Sequence, residues 1–101
     1  MVLPEGVRWM PQGMFVQRIG FHRERADRFA RISQRRHRRA DALATRSLAA
    51  QKQGRPVEAR RLMGNALRIK AAAGRAGLRS RMHRARIAEI RRARARRRHM
   101  A

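Results

Sequence analysis

Apolar and polar positions divide the chain into a short N-terminal segment without regular periodicity and a long remainder of helical character. Residues 1–22 hold two prolines and three glycines between bulky apolar side chains. Because these residues interrupt every window long enough for a stable helix, residues 1–22 are predicted to form an extended arm. Residues 23–53 contain neither Gly nor Pro, and Glu24 and Asp27 suit the positive end of a helix dipole. We therefore expect a long basic helix over residues 23–53.

A Gly-Arg-Pro sequence at residues 54–56 predicts a tight turn after that helix. Glycine commonly follows the end of one helix, and proline is favoured at the first position of the next. An amphipathic helix is expected over residues 56–73, and an Arg-rich helix or tail over residues 78–101, because glycines at 74 and 77 separate them. The predicted fold class is therefore mainly α, with an extended N-terminal arm followed by two or three basic helices. The first two helices would form an antiparallel helical hairpin.

Apolar stripes predict how this hairpin closes. The helix over residues 56–73 has apolar residues at i, i+3, i+4, i+7 and i+8, and the preceding helix has a thinner stripe that includes Ala40 and Ser47. A short connection favours antiparallel packing, and alanine permits close approach of the backbones. No clean stripe is evident after residue 78. The expected helix-pair packing residues are Leu43, Ala44, Leu62, Met63, Ala66 and Leu67.

Composition argues against an independent globular core. The 101 residues include 18 alanines and only 25 larger apolar residues. At about 25 cal/mol per Å², burial of so few large side chains does not offset the ordering entropy of the chain. The 28 basic and six acidic residues give a net charge of +22, and their mutual repulsion opposes compaction further. We expect a single structural unit that becomes ordered against a polyanion.

Arginine dominates the basic residues, with 26 Arg and two Lys. Guanidinium groups bind phosphate through paired hydrogen bonds and stack on unpaired bases, which suits folded RNA. For a single cluster, a solvated face together with a genomic bias towards arginine codons is usually the better explanation, but clusters at 35–39, 79–86 and 91–98 together favour polyanion binding. The expected RNA-binding residues are Arg18, His22, Arg23, Arg35, Arg36, Arg38, Arg39, Arg79, Arg81, Arg84, Arg86, Arg91, Arg92, Arg94, Arg96, Arg97 and Arg98.

Catalytic and metal chemistry find no support among the residues present. Cysteine is absent, no two histidines stand at i, i+4, and the six carboxylates are scattered among cations. We therefore predict no enzyme activity, cofactor, metal or small-molecule substrate. No apolar stretch approaches membrane-spanning length, and the N-terminus does not fit a secretory signal and fits a mitochondrial transit peptide only in part.

The aromatic residues of the arm suggest an anchor. Trp9 and Phe15 lie among methionine and valine side chains. We expect them to pack on the helix pair or on a neighbouring protein. The alternative is a membrane-interface patch, because such patches combine apolar and basic residues.

Two segments carry a family resemblance. Trp9 precedes QRIGFHR at residues 17–23, and NALRIKAAA follows at residues 65–73. Both resemble the mitochondrial large-subunit ribosomal protein 63 family, in which a Trp precedes a Q-x-I-G-x-H-R segment and an A-x-x-I-K-A-A-A stretch occurs further on. The resemblance covers roughly residues 9–73 and implies a small, helical, non-enzymatic protein on rRNA in the mitochondrial matrix, with ribosomal proteins as neighbours. The tail after Gly77 has no counterpart in that family.

A weaker resemblance concerns the helical part of the chain. Leu48-Ala49-Ala50 with Gly54, then Gly77-Leu78 and Ala85-Arg86, are similar in spacing to bacterial-type small-subunit ribosomal protein twenty. That family is a bundle of three basic helices on rRNA, and it leaves the aromatic arm unexplained. A DNA-condensing or nucleocapsid-like protein and a cationic membrane-active protein are the remaining alternatives.

Overall fold

Two long helices make up almost all of the structure, a computed structural model that describes residues 12–100. Helix α1 spans Gln12–Lys52 and helix α2 spans Pro56–Met100. No strand occurs within the described range. The predicted mainly α fold is therefore confirmed, with two helices rather than three.

The connection between α1 and α2 is closed by a glycine in the left-handed region. Gly54 has a φ of 75°. Its N–H donates to the Gln51 carbonyl at 3.1 Å, and the Arg55 N–H donates to the Ala50 carbonyl at 2.9 Å. These two bonds form the Schellman arrangement, which satisfies carbonyls that have no partner within the helix. The predicted turn at residues 54–56 is confirmed.

Helix α1 begins eleven residues before the start predicted for it at residue 23, so the prediction of an extended conformation over residues 12–22 is wrong. Gly13 and Gly20 each lower helix stability by about 1 kcal/mol relative to alanine. Phe15 is fully buried against Ile90 and Ala93, and Ile19 packs against the same cluster. This tertiary burial favours the helix enough to outweigh the glycine cost. The rest of the predicted arm, including Trp9, lies outside the described residues.

Helix α2 continues through the glycines that were predicted to end it, so the boundary expected between residues 73 and 78 is wrong. Ala73 and Ala76, on either side of Gly74, are both buried. A residue in a helix interior keeps its backbone hydrogen bonds whether or not it carries a side chain, so buried neighbours hold the helix together here. The Arg-rich segment is therefore part of one 45-residue helix.

The chain divides into two compact units. We call residues 29–78 the loop unit, and the described residues up to Arg28 together with those from Arg79 onwards the terminal unit. In the loop unit, Ala50, Ala59 and Leu62 form a buried cluster that Leu43 packs against. Both clusters of buried residues are small, as the shortage of large apolar residues predicts.

Small residues line the seam between the helices in each unit. In the loop unit, Ala59, Leu62, Ala66, Ala73 and Ala76 are buried, and their spacing alternates around three and four residues. This alternation is the 3.5-residue repeat of a two-stranded coiled coil. Alanine at such positions permits the two backbones to approach closely.

Serine hydroxyls bridge the two helices across this seam. In the loop unit, Ser33 Oγ donates to the Ala73 carbonyl at 2.9 Å, and Ser47 Oγ donates to the Ala59 carbonyl at 2.7 Å. In the terminal unit, Ser80 Oγ donates to the Ala26 carbonyl at 2.8 Å. A side chain as short as serine reaches a main-chain carbonyl only when the helices lie close together. In the loop unit, the partner on α2 has a lower number when the residue on α1 has a higher one, so the two helices are antiparallel. The same order holds in the terminal unit, where Phe15 packs with Ile90 and Ala26 accepts from Ser80.

The predicted packing residues fall into three groups. Leu62 and Ala66 are buried, and Leu43, Ala44 and Met63 are partly buried. Leu67 is 61% exposed, so its assignment to the packing surface is wrong. The 3.5-residue repeat carries the seam from Ala66 to position 69 and leaves residue 67 outside it. The apolar residues after 78 were expected to form no clean stripe, and Leu78 and Met82 are exposed. The seam continues instead through Ser80, His83, Ile87 and Ile90, which keep the same spacing.

Candidate nucleic-acid interface

Positive charge is spread evenly over both units. The loop unit carries 13 basic and two acidic residues, and the described part of the terminal unit carries 14 basic and three acidic residues. Because the seam is built mainly of small and apolar residues, most guanidinium groups project outwards. Each unit thus presents a strongly cationic surface on a helical pair.

Most of the predicted RNA-binding residues are exposed. The exposed ones are Arg18, Arg23, Arg35, Arg36, Arg38, Arg39, Arg79, Arg81, Arg84, Arg91, Arg92 and Arg98, and the partly buried ones are His22, Arg86, Arg94, Arg96 and Arg97. The four arginines at 35–39 wrap most of one turn of α1 in the loop unit, because successive helical residues are 100° apart. Arg36 Nη1 also lies 3.4 Å from the Ala72 carbonyl of α2.

The arginines near the end of α2 contribute to packing as well as to charge. Arg94 falls at a seam position, one helical turn after Ile90, and its Nε is buried without a hydrogen-bond partner. The guanidinium of Arg97 lies 5.9 Å from the centre of the Phe15 ring, a cation–π distance. Phe15 was expected to anchor the arm, and it lies fully buried at this end of the terminal unit.

Two histidines meet across the seam of the terminal unit. The Nδ1 atoms of His22 and His83 are 2.8 Å apart, although the residues are 61 positions apart in the chain. One ring must donate its Nδ1 hydrogen and the other must accept it, so this contact excludes a proton on both Nδ1 atoms. Phe21 lies beside the pair, with its ring 5.2 Å from His22 and 6.4 Å from His83, both edge-on.

Arginines surround the histidine pair. Arg25 lies 5.2 Å above the Phe21 ring, and Arg79 and Arg86 line a shallow pocket of about 240 Å³ beside the two histidines. Arg86 also forms a 3.0 Å salt bridge with Glu89. We call this surface the histidine face; its residues are Arg18, Phe21, His22, Arg25, Arg79, Met82, His83 and Arg86.

Burial and positive neighbours lower the pKa of His22 below its usual value of 6.5. Burial is the largest cause, because it removes water from the charged imidazolium. Repulsion from His83, Arg18 and Arg86 acts in the same direction. His22 is therefore neutral near pH 7 in the isolated protein.

Sequence reasoning missed four residues of this surface. Phe21, Arg25, Met82 and His83 were not among the predicted RNA-binding residues, whereas His22 was. Extending the three- and four-residue alternation along both helices would have placed His22 and His83 at seam positions. Neither helix has a segment apolar enough to span a membrane within the described residues, and residues 12–100 contain no cluster of three candidate metal ligands.

Comparison of this chain with known protein families, with curated proteins and with solved structures finds no match.

Proposed function

We propose that this protein is a structural RNA-binding component of the mitochondrial ribosome, with rRNA of the large subunit as its partner. The observation that carries the proposal is the exposure of 12 of the predicted RNA-binding arginines on paired helices. Helical scaffolds hold these groups at fixed spacing, so phosphates are bound with less loss of side-chain and backbone freedom than on a disordered tail.

The distribution of arginine around α1 favours RNA as the ligand, rather than a flat polyanionic surface. The arginines at 35–39 point in several directions around α1. Such a turn neutralises phosphates on more than one side, as happens where a protein helix lies between RNA helices. In this role the protein lowers the repulsion between RNA strands and performs no chemical reaction.

The choice of the large subunit rests on the family resemblance. Two helices over residues 12–100 agree less well with the three-helix bundle of the small-subunit family. Under this proposal the protein resides in the mitochondrial matrix, and ribosomal proteins are neighbours of the segment that includes Trp9.

Sedimentation tests the proposal directly. A tagged full-length chain is expressed in its native cell, and ribosomal subunits are separated on high-salt sucrose gradients. We expect the protein to co-sediment with the mitochondrial large subunit and to be released by ribonuclease. Recovery with the small subunit would overturn the large-subunit assignment, and recovery only with DNA, membranes or free protein would overturn the ribosomal function.

A further inference from the structure

The histidine face combines an exposed aromatic ring with a dense group of cations. Phe21 is 47% exposed, although it is one of only three phenylalanines in the chain. Neither histidine ring is parallel to it, since the interplanar angles are 74° and 79°. Phe21 therefore keeps an accessible aromatic surface, with the Arg25 guanidinium already at stacking distance.

We propose that the histidine face binds one unpaired RNA nucleotide, with the base stacked on Phe21 and the adjacent phosphate held by the histidine pair and its arginines. This proposal rests on the proposed RNA-binding function and specifies the ligand of one surface. Base-paired RNA hides the faces of its bases, so only an unpaired nucleotide offers both a base for stacking and a phosphate.

The histidine pair explains why the phosphate would bind here. In the isolated protein the pair accommodates at most one proton between the two Nδ1 atoms, because a second would remove the acceptor. Arg18 from α1 and Arg79 and Arg86 from α2 add further positive charge. Glu89, an acidic residue of α2, forms a salt bridge with Arg86. A bound phosphate contributes negative charge and acceptor oxygens, so both imidazoles can be protonated and donate to it once the Nδ1–Nδ1 contact is broken.

Proton uptake follows from that arrangement. Binding of the nucleotide should become tighter as the pH falls from 8 to 6, since the phosphate stabilises imidazolium that the isolated protein disfavours. The arginines stay charged throughout this range and provide a constant background. Removal of one histidine should therefore reduce the pH dependence and leave the general electrostatic binding in place.

Two RNA probes separate this site from general charge attraction. The first is a short single-stranded RNA that carries one 2-aminopurine, whose fluorescence decreases when the base stacks, and the second is a blunt RNA duplex of equal charge. We expect Phe21→Ala to weaken single-strand binding about tenfold and to abolish the fluorescence decrease. Duplex binding should change less than twofold.

Control variants keep the result specific. Leu67→Ala removes a side chain that is 61% exposed in the loop unit, and it should leave both affinities unchanged. Phe21→Leu keeps the apolar volume without an aromatic ring and should lose stacking as Phe21→Ala does, with helix content checked by circular dichroism. His22→Gln should reduce the pH dependence of single-strand binding.

The outcomes are distinguishable from failure of the proposed function. Equal loss for single strand and duplex in the Phe21 variants, no loss at all, or an undiminished pH dependence in His22→Gln would each overturn the nucleotide site while RNA binding stands. Failure of the wild-type protein to bind either the single-stranded RNA or the duplex would instead contradict the RNA-binding function itself.

Discussion

Individual small residues set the distance between the two helices. Ala73 is fully buried, and the hydroxyl of Ser33 reaches its carbonyl oxygen. A buried alanine contributes little apolar burial, and at the fully buried Ala73 a larger side chain would have to displace neighbouring atoms. The stability of the seam therefore depends on shape at each position more than on hydrophobicity.

Enlarging a seam alanine should separate the helices. Ala73→Leu is expected to lower the free energy of unfolding by about 1–3 kcal/mol, because an added side chain strains a well-packed contact. Ala71→Leu, on the exposed side of the same helix, is the matched control and should change it by less than about 0.5 kcal/mol, since alanine and leucine have similar helix propensities. Urea unfolding in a sulfate buffer measures both. Equal effects of the two variants would contradict the close-packed seam.

The histidine pair should make stability depend on pH. Because the pKa of His22 is lowered in the folded protein, the unfolded chain takes up its proton first as the pH falls through 6.5. Stability is thus expected to be full above that pH and to decrease below it. Urea unfolding between pH 8 and pH 5 should show this decrease in the wild type and a smaller one in His22→Gln. An identical slope in the variant would show that another group is responsible.

At the scale of the elements, glycines differ in their effect on the helices: one ends a helix, and others lie within one. Gly54 ends α1 with a positive φ, whereas Gly64 and Gly74 lie inside α2 with open space where a Cβ would be. Only the first position requires glycine for its backbone conformation. The helix-interior glycines lower helix stability without a steric need.

Alanine substitutions at Gly54 and Gly74 should change the stability of the protein in opposite directions. Gly54→Ala is expected to destabilise the protein by about 1 kcal/mol, because an L-residue is strained in the left-handed region. Gly74→Ala should stabilise it by roughly 0.5–1 kcal/mol through higher helix propensity. Thermal unfolding followed by circular dichroism provides the comparison. Stabilisation by Gly54→Ala would contradict the Schellman turn.

At the scale of the whole molecule, charge governs both folding and binding. The net charge is +22, and the contact between the helices buries little apolar surface. Electrostatic repulsion within the chain is therefore large relative to the stabilisation from packing. Anions reduce this repulsion, so sulfate and RNA should both increase helix content. The same charges release counterions when RNA binds, which makes the affinity decrease steeply with salt concentration.

The salt dependence of RNA affinity should show whether the arginines at 35–39 on α1 contact RNA. Replacing Arg35, Arg36, Arg38 and Arg39 together by Gln is expected to reduce the slope of log affinity against log salt concentration by up to about 3, at about 0.7 per phosphate contact with single-stranded RNA. The matched variant with four Lys keeps the charge and should keep the slope. Fluorescence anisotropy with labelled RNA measures both. An unchanged slope in the Gln variant would exclude this turn from the interface.

Part of the candidate interface was accessible to sequence reasoning, and part was not. Exposed arginines were identified correctly as surface groups at Arg35 and Arg81, because guanidinium side chains are rarely buried. Arg94 and Arg97 are partly buried, since the seam register runs through the Arg-rich block. Composition alone does not reveal which cation of a cluster falls on that register.

The amino-acid sequence by itself determined the helical character of most of residues 23–100, the turn at Gly54 and the excess of positive charge, because propensity, capping and charge are local properties. Tertiary structure alone decided where α1 begins, that α2 continues through Gly74, and that His22 meets His83. These outcomes depend on contacts between residues distant in the chain, such as the 61 positions that separate the two histidines. Burial of Phe15 and of the seam alanines outweighs the cost of the helix-interior glycines. The free energy of that burial cannot be predicted from neighbouring positions in the sequence.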